Sequence, residues 1–361
     1  MITRRMLVPF PAWEGNPYLS MLTLMTEAAG WRIEGRKNVP DLMRLATELV
    51  VGDVVHVHWT SPITRGAANE ADAEAKRREF RVLLEGLRAR GVRILWTVHN
   101  EIAHDAPFPA VERTVARDLA ELCDVIIQLH EHTSAFVAES FALPMDKLVT
   151  LPHSSYLGVY PDERDDQLAR NLLGIPESAP TVGFIGQVRP YKGLDTLMRA
   201  VDLAAAEVPD LTLLIAGRVA PEDAPQLAAS LPSVARVVLH TEFVRDEDLW
   251  KWFRASDVVA LPYRRILNSG SILLASTFGR PCIVPDDTPL PSVYADESWV
   301  RAYATADADR ALADAIVASV RADGVEGAMA EGFARRHTPF EMSRAYRAIL
   351  ADLDAKGSTG T

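Results

Sequence analysis

Cysteine is scarce in this chain, which holds only Cys123 and Cys282 among its 361 residues. Two cysteines are too few for a disulfide framework or for a cysteine-rich zinc site. The sequence also lacks any stretch of about twenty apolar residues, the length that a membrane-spanning helix requires. We therefore expect neither a disulfide-stabilised scaffold nor a transmembrane span.

Positive charge is in deficit as well, because the formal net charge is −11. This balance argues against nonspecific binding to nucleic acid, and we expect no nucleic-acid partner. No Gly-x-Gly-x-x-Gly motif follows a strand pattern, so a nicotinamide-dependent oxidoreductase is a weak hypothesis. Met1–Phe10 carries a basic pair, but its apolar run is too short for a secretory signal. We interpret that segment as a first strand and expect a cytoplasmic protein.

Strand and helix patterns alternate along the whole chain, and a hydrophobic content of 48% is enough for two cores. This alternation predicts α/β architecture with parallel sheets covered by helices on both faces. The segment 152–180 is rich in Pro, Asp and Ser, which makes it the best candidate for a linker. The predicted strands are 6–9, 54–58, 94–98, 125–129 and 148–151, then 181–185, 211–216, 237–239, 258–261 and 282–284.

The segment 181–195 predicts an anion site. It reads as a buried strand, then Gly186, then a loop with Arg189 and Lys192 that opens onto a helix. Glycine lets a ligand approach the backbone, and two cations lie beside free helix N–H groups. A phosphate or pyrophosphate is the expected ligand. The alternative is an ordinary exposed loop whose basic side chains face solvent.

A second segment about eighty residues later reads as another phosphate-binding helix start. A strand pattern at 257–263 is followed by a loop and by a helix that begins near Asn268 or Ser269. Gly270 and Ser271 lie in its first turn, where N–H and O–H donors could meet a second phosphate. An ordinary capped helix start is the alternative interpretation.

Loops that follow the strands of the N-terminal half should carry the remaining chemistry, since ligands bind beyond the carboxyl ends of parallel strands. His99, Glu101, His104 and Asp105 follow the third strand and are all able to act as a base. Two of them also have a structural alternative, which is a strand-end hydrogen bond for His99 and a turn cap for Asp105. The loops after the first two strands add polar and aromatic candidates, which are Asn16, Tyr18 and Trp59.

Two histidine pairs raise the question of a metal. His56 and His58 share one face of a predicted strand, and His130 and His132 form a similar pair. No third ligand is evident, so we expect no metal site. Separately, the helix pattern at 71–93 carries many arginines among leucines and could rest on an anionic membrane, although its glutamates favour a solvated helix.

Several motifs together resemble the GT-B glycosyltransferases, a group that includes the retaining GT4 enzymes and bacterial exopolysaccharide mannosyltransferases. They are Gly186 with Lys192-Gly193, the strands 211–217 and 255–262, the helix leading to 279–284, Thr97-Val-His99 and the segment 151–161. The resemblance implies two Rossmann-like domains facing a central cleft, with a C-terminal helix crossing back. It places an acceptor-side domain at 1–155, a nucleotide-sugar-binding domain at 156–335 and the returning helix with its tail at 336–361.

The resemblance also assigns roles to these residues. His99 would contact the donor sugar, and His153 would lie in the hinge region beside donor or acceptor. Gly186, Arg189, Lys192 and the stretch Asn268, Ser269, Gly270 and Ser271 would hold the donor, while Asn16, Tyr18 and Trp59 would face the acceptor. Glu101 is our choice of general base, since an alcohol needs its proton removed to react.

The chain departs from the family pattern at two points. Retaining GT4 enzymes carry two glutamates seven residues apart, but here Ile266 or Leu267 and Leu274 or Ala275 occupy those positions. The arginine that usually follows the glycine is Gln187, so Arg189 would supply that charge. The missing carboxylates question a retaining mechanism and leave inversion open.

We therefore expect an enzyme that transfers a hexose, with mannose from GDP-mannose as the guess by resemblance, to a saccharide or lipid-linked acceptor. We expect no cofactor and no required metal. With a lipid-linked acceptor, peripheral contact with the inner face of the cell membrane is expected. A nucleotide-sugar epimerase or phosphorylase on the same scaffold is one alternative. A noncatalytic domain that binds sugar nucleotides or a partner enzyme is another.

Overall fold

The computed structural model describes residues 5–13, 15–103 and 106–358, with the side chains of the last helix described up to Leu353. The chain forms two compact units. The first contains the chain up to His153 together with the helix that begins at Pro339, and the second is Ser154–Thr338.

The first unit is built on a sheet of six parallel strands in the order β2-β1-β3-β4-β5-β6. Its strands are β1 (Met6–Phe10), β2 (Arg32–Ile33), β3 (Val54–Val57), β4 (Arg93–Val98), β5 (Val125–Gln128) and β6 (Leu148–Thr150). Its helices are α1 (Pro17–Ala28), α2 (Val39–Ala46), α3 (Ser61–Thr64), α4 (Glu70–Ala89), α5 (Pro109–Leu122), α6 (Thr133–Val137) and, from the C-terminus, α15 (Pro339–Ser358).

The second unit repeats this plan with six parallel strands in the order β12-β11-β10-β7-β8-β9. Its strands are β7 (Thr181–Ile185), β8 (Thr212–Ala216), β9 (Arg236–His240), β10 (Val258–Ala260), β11 (Cys282–Pro285) and β12 (Val300–Tyr303). Its helices are α7 (Asp166–Leu172), α8 (Leu194–Ala205), α9 (Ala224–Ala229), α10 (Leu249–Arg254), α11 (Gly270–Thr277), α12 (Leu290–Val293), α13 (Ala308–Val320) and α14 (Val325–Arg336). Short 3₁₀ turns occupy Met145–Lys147, Pro190–Lys192, Asp246–Asp248 and Thr305–Asp307.

Central strands are buried on both faces, as the continuous apolar runs predict for parallel sheets covered by helices. All five residues of β1, β7 and β8 are buried. In the second unit, α8 and α13 pack together and close one face of the sheet with the apolar core around Leu197 and Ile316. The sequence did not predict β2 and β12, because these edge strands are only partly buried and lack a strong apolar run.

The C-terminal helix α15 packs on α1 within the first unit. Ser343 joins the two helices, since its Oγ donates to the carbonyl of Leu22 and accepts from the N–H of Met25, both at 2.8 Å. Tyr346, fully buried on α15, donates or accepts a hydrogen bond with His56 at 2.7 Å. The last helix is therefore an integral part of the first core.

The segment that we predicted as a linker is packed for most of its length into the second unit. Arg170 on α7 is buried and forms an ion pair with Asp257 at 2.7 Å, directly before β10. Near its start, the N–H of Tyr156 donates to Oγ1 of Thr277 on α11. The composition of 152–180 suggested a linker, and buried contacts of this kind fix most of it to the C-terminal sheet.

Candidate functional site

The two predicted anion-binding motifs lie side by side in the second unit. β10 pairs with β7, so the loops that follow these strands emerge at the same edge of the sheet. A backbone hydrogen bond of 2.8 Å joins the loops, from the N–H of Arg264 to the carbonyl of Tyr191. Strand order thus brings together segments that are about eighty residues apart in the sequence.

Gly186, Lys192 and Ser271 converge at the centre of this edge. Gly186 has a φ of +130°, which L-residues rarely adopt. A Cβ atom at this position would lie 2.9 Å from Nζ of Lys192 and 4.0 Å from Oγ of Ser271. The missing side chain leaves space beside an ammonium and a hydroxyl, as an anion-binding loop requires.

The ammonium of Lys192 lies over the ring of Tyr263, 5.7 Å from its centroid. Burial lowers the pKa of Lys192, the neighbouring Tyr191 opposes that shift, and the positive charge of Arg189 adds to it. Arg189 itself is exposed. A lysine with a lowered pKa gains most from an anion, because a negative ligand restores the stability of its charged form.

Helix α11 begins at the same place. Ser269 is its N-cap residue, and its side chain makes no capping hydrogen bond to the first turn. Asn268, the alternative N-cap, is half-buried and precedes the helix. A Cβ at Gly270 would lie 2.9 Å from the hydroxyl of Tyr156, so glycine admits that hydroxyl to the first turn. A helix start without a side-chain cap suits an anionic ligand.

Tyr263 lies beside these groups and contacts them. It is almost fully buried three residues after the end of β10, and burial raises its pKa to about 12, while a hydrogen bond with Ser271 opposes the shift. The phenol therefore stays neutral and holds Ser271 and Lys192 in place. Sequence analysis missed Tyr263 and Tyr156, although the position of Tyr263 at a strand's carboxyl end was a usable signal.

In the first unit, an aromatic cluster gathers at the carboxyl ends of β1, β3 and β4. Trp59 stacks on His99 at 4.5 Å between ring centroids and on Trp13 at 4.7 Å. Tyr18 contacts His99 edge-on at 4.9 Å and His153 at 4.8 Å. The structure thus brings together Tyr18, Trp59, His99 and His153, which the sequence proposed from four separate segments.

His99 is 8% exposed and directly follows β4. Its Nε2 lies 3.3 Å from Nδ1 of His58, within one hydrogen bond. Burial lowers the pKa of His99 well below the usual range, and the imidazoles of His153 and His56 add to that effect. The ring is therefore neutral near pH 7 and is suited to hydrogen bonding.

Glu101 lies two residues beyond His99, half-buried, and accepts a hydrogen bond from the hydroxyl of Ser140. His99 and Glu101 both line a small cavity of about 40 Å³. Glu112, a buried carboxylate that the sequence did not single out, lines it too and accepts hydrogen bonds from Thr60 at 2.7 Å and Thr64 at 2.8 Å. These hydroxyls tie Glu112 to the loop that carries Trp59.

The remaining candidates fall into two groups. Asn16 caps α1, because its Oδ1 accepts the N–H of Tyr18 at 3.0 Å, so its side chain has a structural task. His104 and Asp105, the other candidate bases, lie outside the described residues.

The histidine pairs do not form a recognisable metal centre. His56 and His58 do share a face, with ring centroids 3.9 Å apart. Yet His56 uses Nδ1 for Tyr346 and Nε2 for Thr97 at 2.8 Å, which leaves neither nitrogen for an ion. Over residues 5–13, 15–103 and 106–358, no three His, Cys, Asp or Glu side chains are grouped to hold a metal.

Two arginines of the basic helix α4 form ion pairs with carboxylates of α5. Arg77 forms an ion pair with Asp118 on α5, and Arg81 pairs with Asp118 at 2.6 Å and Glu121 at 2.8 Å. These carboxylates neutralise two of the arginines that could otherwise face an anionic membrane. None of the helices in the described part of the chain combines the length and apolar character needed to cross a bilayer.

Comparison with known proteins gives a consistent picture. Residues 179–321 match the family described as glycosyl transferases group 1. A GDP-mannose:glycolipid 4-beta-D-mannosyltransferase from Xanthomonas campestris pv. campestris is 27% identical, over 75% of this chain and 72% of that protein. A D-inositol 3-phosphate glycosyltransferase from Nocardioides sp. is 25% identical, over 69% of this chain and 59% of its own length.

Solved structures share the fold at lower identity. The Anabaena protein HepE in complex with UDP and glucose superposes with a TM-score of 0.72 at 13% identity, covering 97% of this chain and 100% of that one. Sucrose-phosphate synthase from Thermosynechococcus elongatus gives a TM-score of 0.70 at 17% identity, with coverage of 97% and 100%.

Proposed function

We propose that this chain, a glycosyltransferase with the GT-B fold, transfers mannose from GDP-mannose to a glycolipid acceptor. The fold class and the enzyme class predicted from the sequence are confirmed. The family match favours glycosyl transfer over an epimerase or a noncatalytic domain. The observation that carries the donor site is the convergence of Gly186, Lys192 and Ser271 at one sheet edge.

The second unit would hold the nucleotide diphosphate. Lys192 and the uncapped start of α11 present positive charge and hydrogen-bond donors within one small region. As the bond to the sugar breaks, negative charge grows on the diphosphate, and fixed donors of this kind stabilise it. Arg189, exposed beside Lys192, would add charge from the rim.

The same groups would also make a divalent metal unnecessary for transfer. A lysine and a helix N-terminus can neutralise a leaving diphosphate without an ion between them. Transfer measured in excess EDTA should then match transfer with added Mg²⁺ or Mn²⁺. A rate that falls to background on chelation and returns with one metal would refute metal independence.

The first unit would supply the acid–base chemistry. Glu101 would remove the acceptor proton, and neutral His99 would hydrogen-bond a sugar hydroxyl, with Trp59 and Tyr18 packing against it. A saccharide suits this cluster as a ligand, because polar edges such as that of His99 can bind hydroxyls. The relative from Xanthomonas is named for a glycolipid acceptor, which motivates the same acceptor class here.

We further propose that the reaction inverts the anomeric centre. By resemblance, retaining relatives carry carboxylates at the positions of Ile266 or Leu267 and of Leu274 or Ala275. All four residues are apolar here, and Leu267 and Ala275 are buried. The named relative makes a β-mannoside, and an inverting enzyme would form that product from an α-linked donor. The anomeric signal of the product in NMR should be β, whereas an α product would contradict inversion.

Nucleotide binding tests the donor site directly. Thermal stabilisation of the full chain should be measured with GDP, UDP, ADP and dTDP and their sugars. We expect GDP and GDP-mannose to stabilise the wild type by an increment that grows with concentration, since ligands that bind the folded state raise its stability. The double variant Lys192→Ala with Ser271→Ala should lose that increment.

Lys251→Ala provides a matched control, because Lys251 is also half-buried in the second unit but is paired with Asp248 at 3.0 Å. It should keep the full nucleotide response. If no nucleotide stabilises the wild type, or if the double variant responds as the control does, the proposed donor site is wrong.

A further inference from the structure

His58 is not among the residues proposed to bind donor or acceptor, yet it contacts the residue proposed to bind the sugar. It directly follows β3, is 1% exposed, and places Nδ1 3.3 Å from Nε2 of His99. The proximity of these nitrogens means that one hydrogen is shared between the two rings. The position of that hydrogen decides what the rest of the His99 ring can donate or accept.

The ring of His58 also packs against a second histidine. Its centroid lies 3.9 Å from that of His56, whose two nitrogens are occupied by Tyr346 at 2.7 Å and Thr97 at 2.8 Å. Tyr346 is on α15 and Thr97 on β4, so the support comes from two separate elements. These contacts therefore fix the position of the His58 ring beside His99.

The nitrogen of His58 that does not contact His99 distinguishes the two possible tautomers of this pair. Among the described residues, Nε2 of His58 is buried without a hydrogen-bond partner. If His99 donated from its Nε2, the single hydrogen of neutral His58 would sit on this buried nitrogen as a donor with no acceptor. Buried N–H groups without an acceptor are rarer than buried acceptors without a donor. The contact thus favours donation by His58.

We infer that His58 is a positioning residue, which donates from Nδ1 to His99 and keeps His99 in the tautomer that carries its hydrogen on Nδ1. The inference rests on the proposed role of His99 for its effect on transfer. His99 would then be a hydrogen-bond donor at Nδ1 and an acceptor at Nε2. An imidazole held in the wrong tautomer loses most of its function.

Nitrogen NMR reads the tautomer without any need for activity. The full chain labelled with ¹⁵N-histidine should show, near pH 7, a protonated Nδ1 and an unprotonated Nε2 for His99, assigned by their loss in His99→Asn. In His58→Phe, which keeps a ring but has no nitrogen, the share of His99 that is protonated at Nε2 should rise. A protonated Nε2 in the wild type, or the same tautomer in His58→Phe, would overturn the inference.

Kinetic constants then distinguish a positioning role of His58 from a role in folding. His58→Phe should lower kcat for transfer by at least about tenfold, while the Kd for GDP stays unchanged. His58→Asn places an amide near the position of Nδ1 and should recover part of that loss. Wild-type kcat in His58→Phe, or an equal loss in both variants, would contradict positioning. If the wild type transfers no sugar but the NMR result holds, the proposed function fails and the contact stands.

Discussion

At the scale of single residues, the lowered pKa of Lys192 predicts how GDP affinity depends on pH. Burial lowers its pKa, so in the free protein part of the lysine loses its proton at a pH below the ordinary value near 10.4. A bound diphosphate favours the charged form and raises the pKa again. GDP affinity should therefore be constant at neutral pH and fall as pH rises through the free-protein pKa, by up to about tenfold per unit.

Calorimetric titration of GDP between pH 7 and pH 10 measures this dependence. Lys192→Arg keeps its charge throughout that range, since arginine is not deprotonated in proteins. Its affinity should be weaker at pH 7 but nearly flat with pH. An equally steep decline in Lys192→Arg would show that another group controls binding.

At the scale of elements, the turn between β7 and the 3₁₀ turn at Pro190–Lys192 depends on a missing side chain. Gly186→Ala would place a Cβ 2.9 Å from Nζ of Lys192 and force a φ of +130° on alanine. We expect GDP affinity to fall by at least about tenfold, because the ammonium must move from its position. Isothermal titration measures the loss.

Gly158 offers a matched control in the same unit. It also has a positive φ, of +78°, but a Cβ there would meet nothing within 4 Å. Gly158→Ala should cost about 1 kcal/mol of stability and leave GDP binding intact. If both alanine variants bind GDP like the wild type, Gly186 does not shape the anion site.

The strands β3 and β4 carry a second prediction through His56, His58 and His99. Burial lowers the pKa of all three, that of His56 to about 3, while unfolded histidine titrates near 6.5. Below about pH 6.5 the unfolded chain binds protons that the native state does not. Stability should therefore decrease as pH falls, by up to about 1.4 kcal/mol per pH unit for each histidine.

Hydrogen exchange of peptides from β3 and β4, corrected for intrinsic rates, follows this loss between pH 7 and pH 5. His58→Phe removes one titrating ring, so its protection should depend less steeply on pH. Protection that is independent of pH, or a slope in His58→Phe equal to that of the wild type, would contradict the lowered pKa values of these imidazoles.

At the scale of the whole molecule, the sequence predicted the repeated α/β plan because central parallel strands are continuous apolar runs. The rule that ligands bind beyond the carboxyl ends of such strands also selected Gly186, Lys192 and Ser271, which the structure places together. Edge strand β2 escaped prediction, since two residues, one exposed and one half-buried, carry no periodic signal.

Contacts between distant segments could not be predicted from the sequence. The pairing of His58 with His99 spans 41 residues, and that of His56 with Tyr346 spans 290. No local pattern specifies such pairs, because they depend on strand order and on the packing of α15. The support beneath the predicted site residues therefore came from the structure alone.

The proposed function requires that Lys192 hold a nucleotide-linked mannose. The most direct measurement is transfer of radiolabelled mannose from GDP-mannose to a bacterial glycolipid fraction by the wild type, Lys192→Ala and Lys251→Ala. We predict labelled glycolipid from the wild type and Lys251→Ala, and at least about a hundredfold lower rate for Lys192→Ala. Equal transfer by all three proteins, or transfer from UDP-glucose and not GDP-mannose, would contradict it.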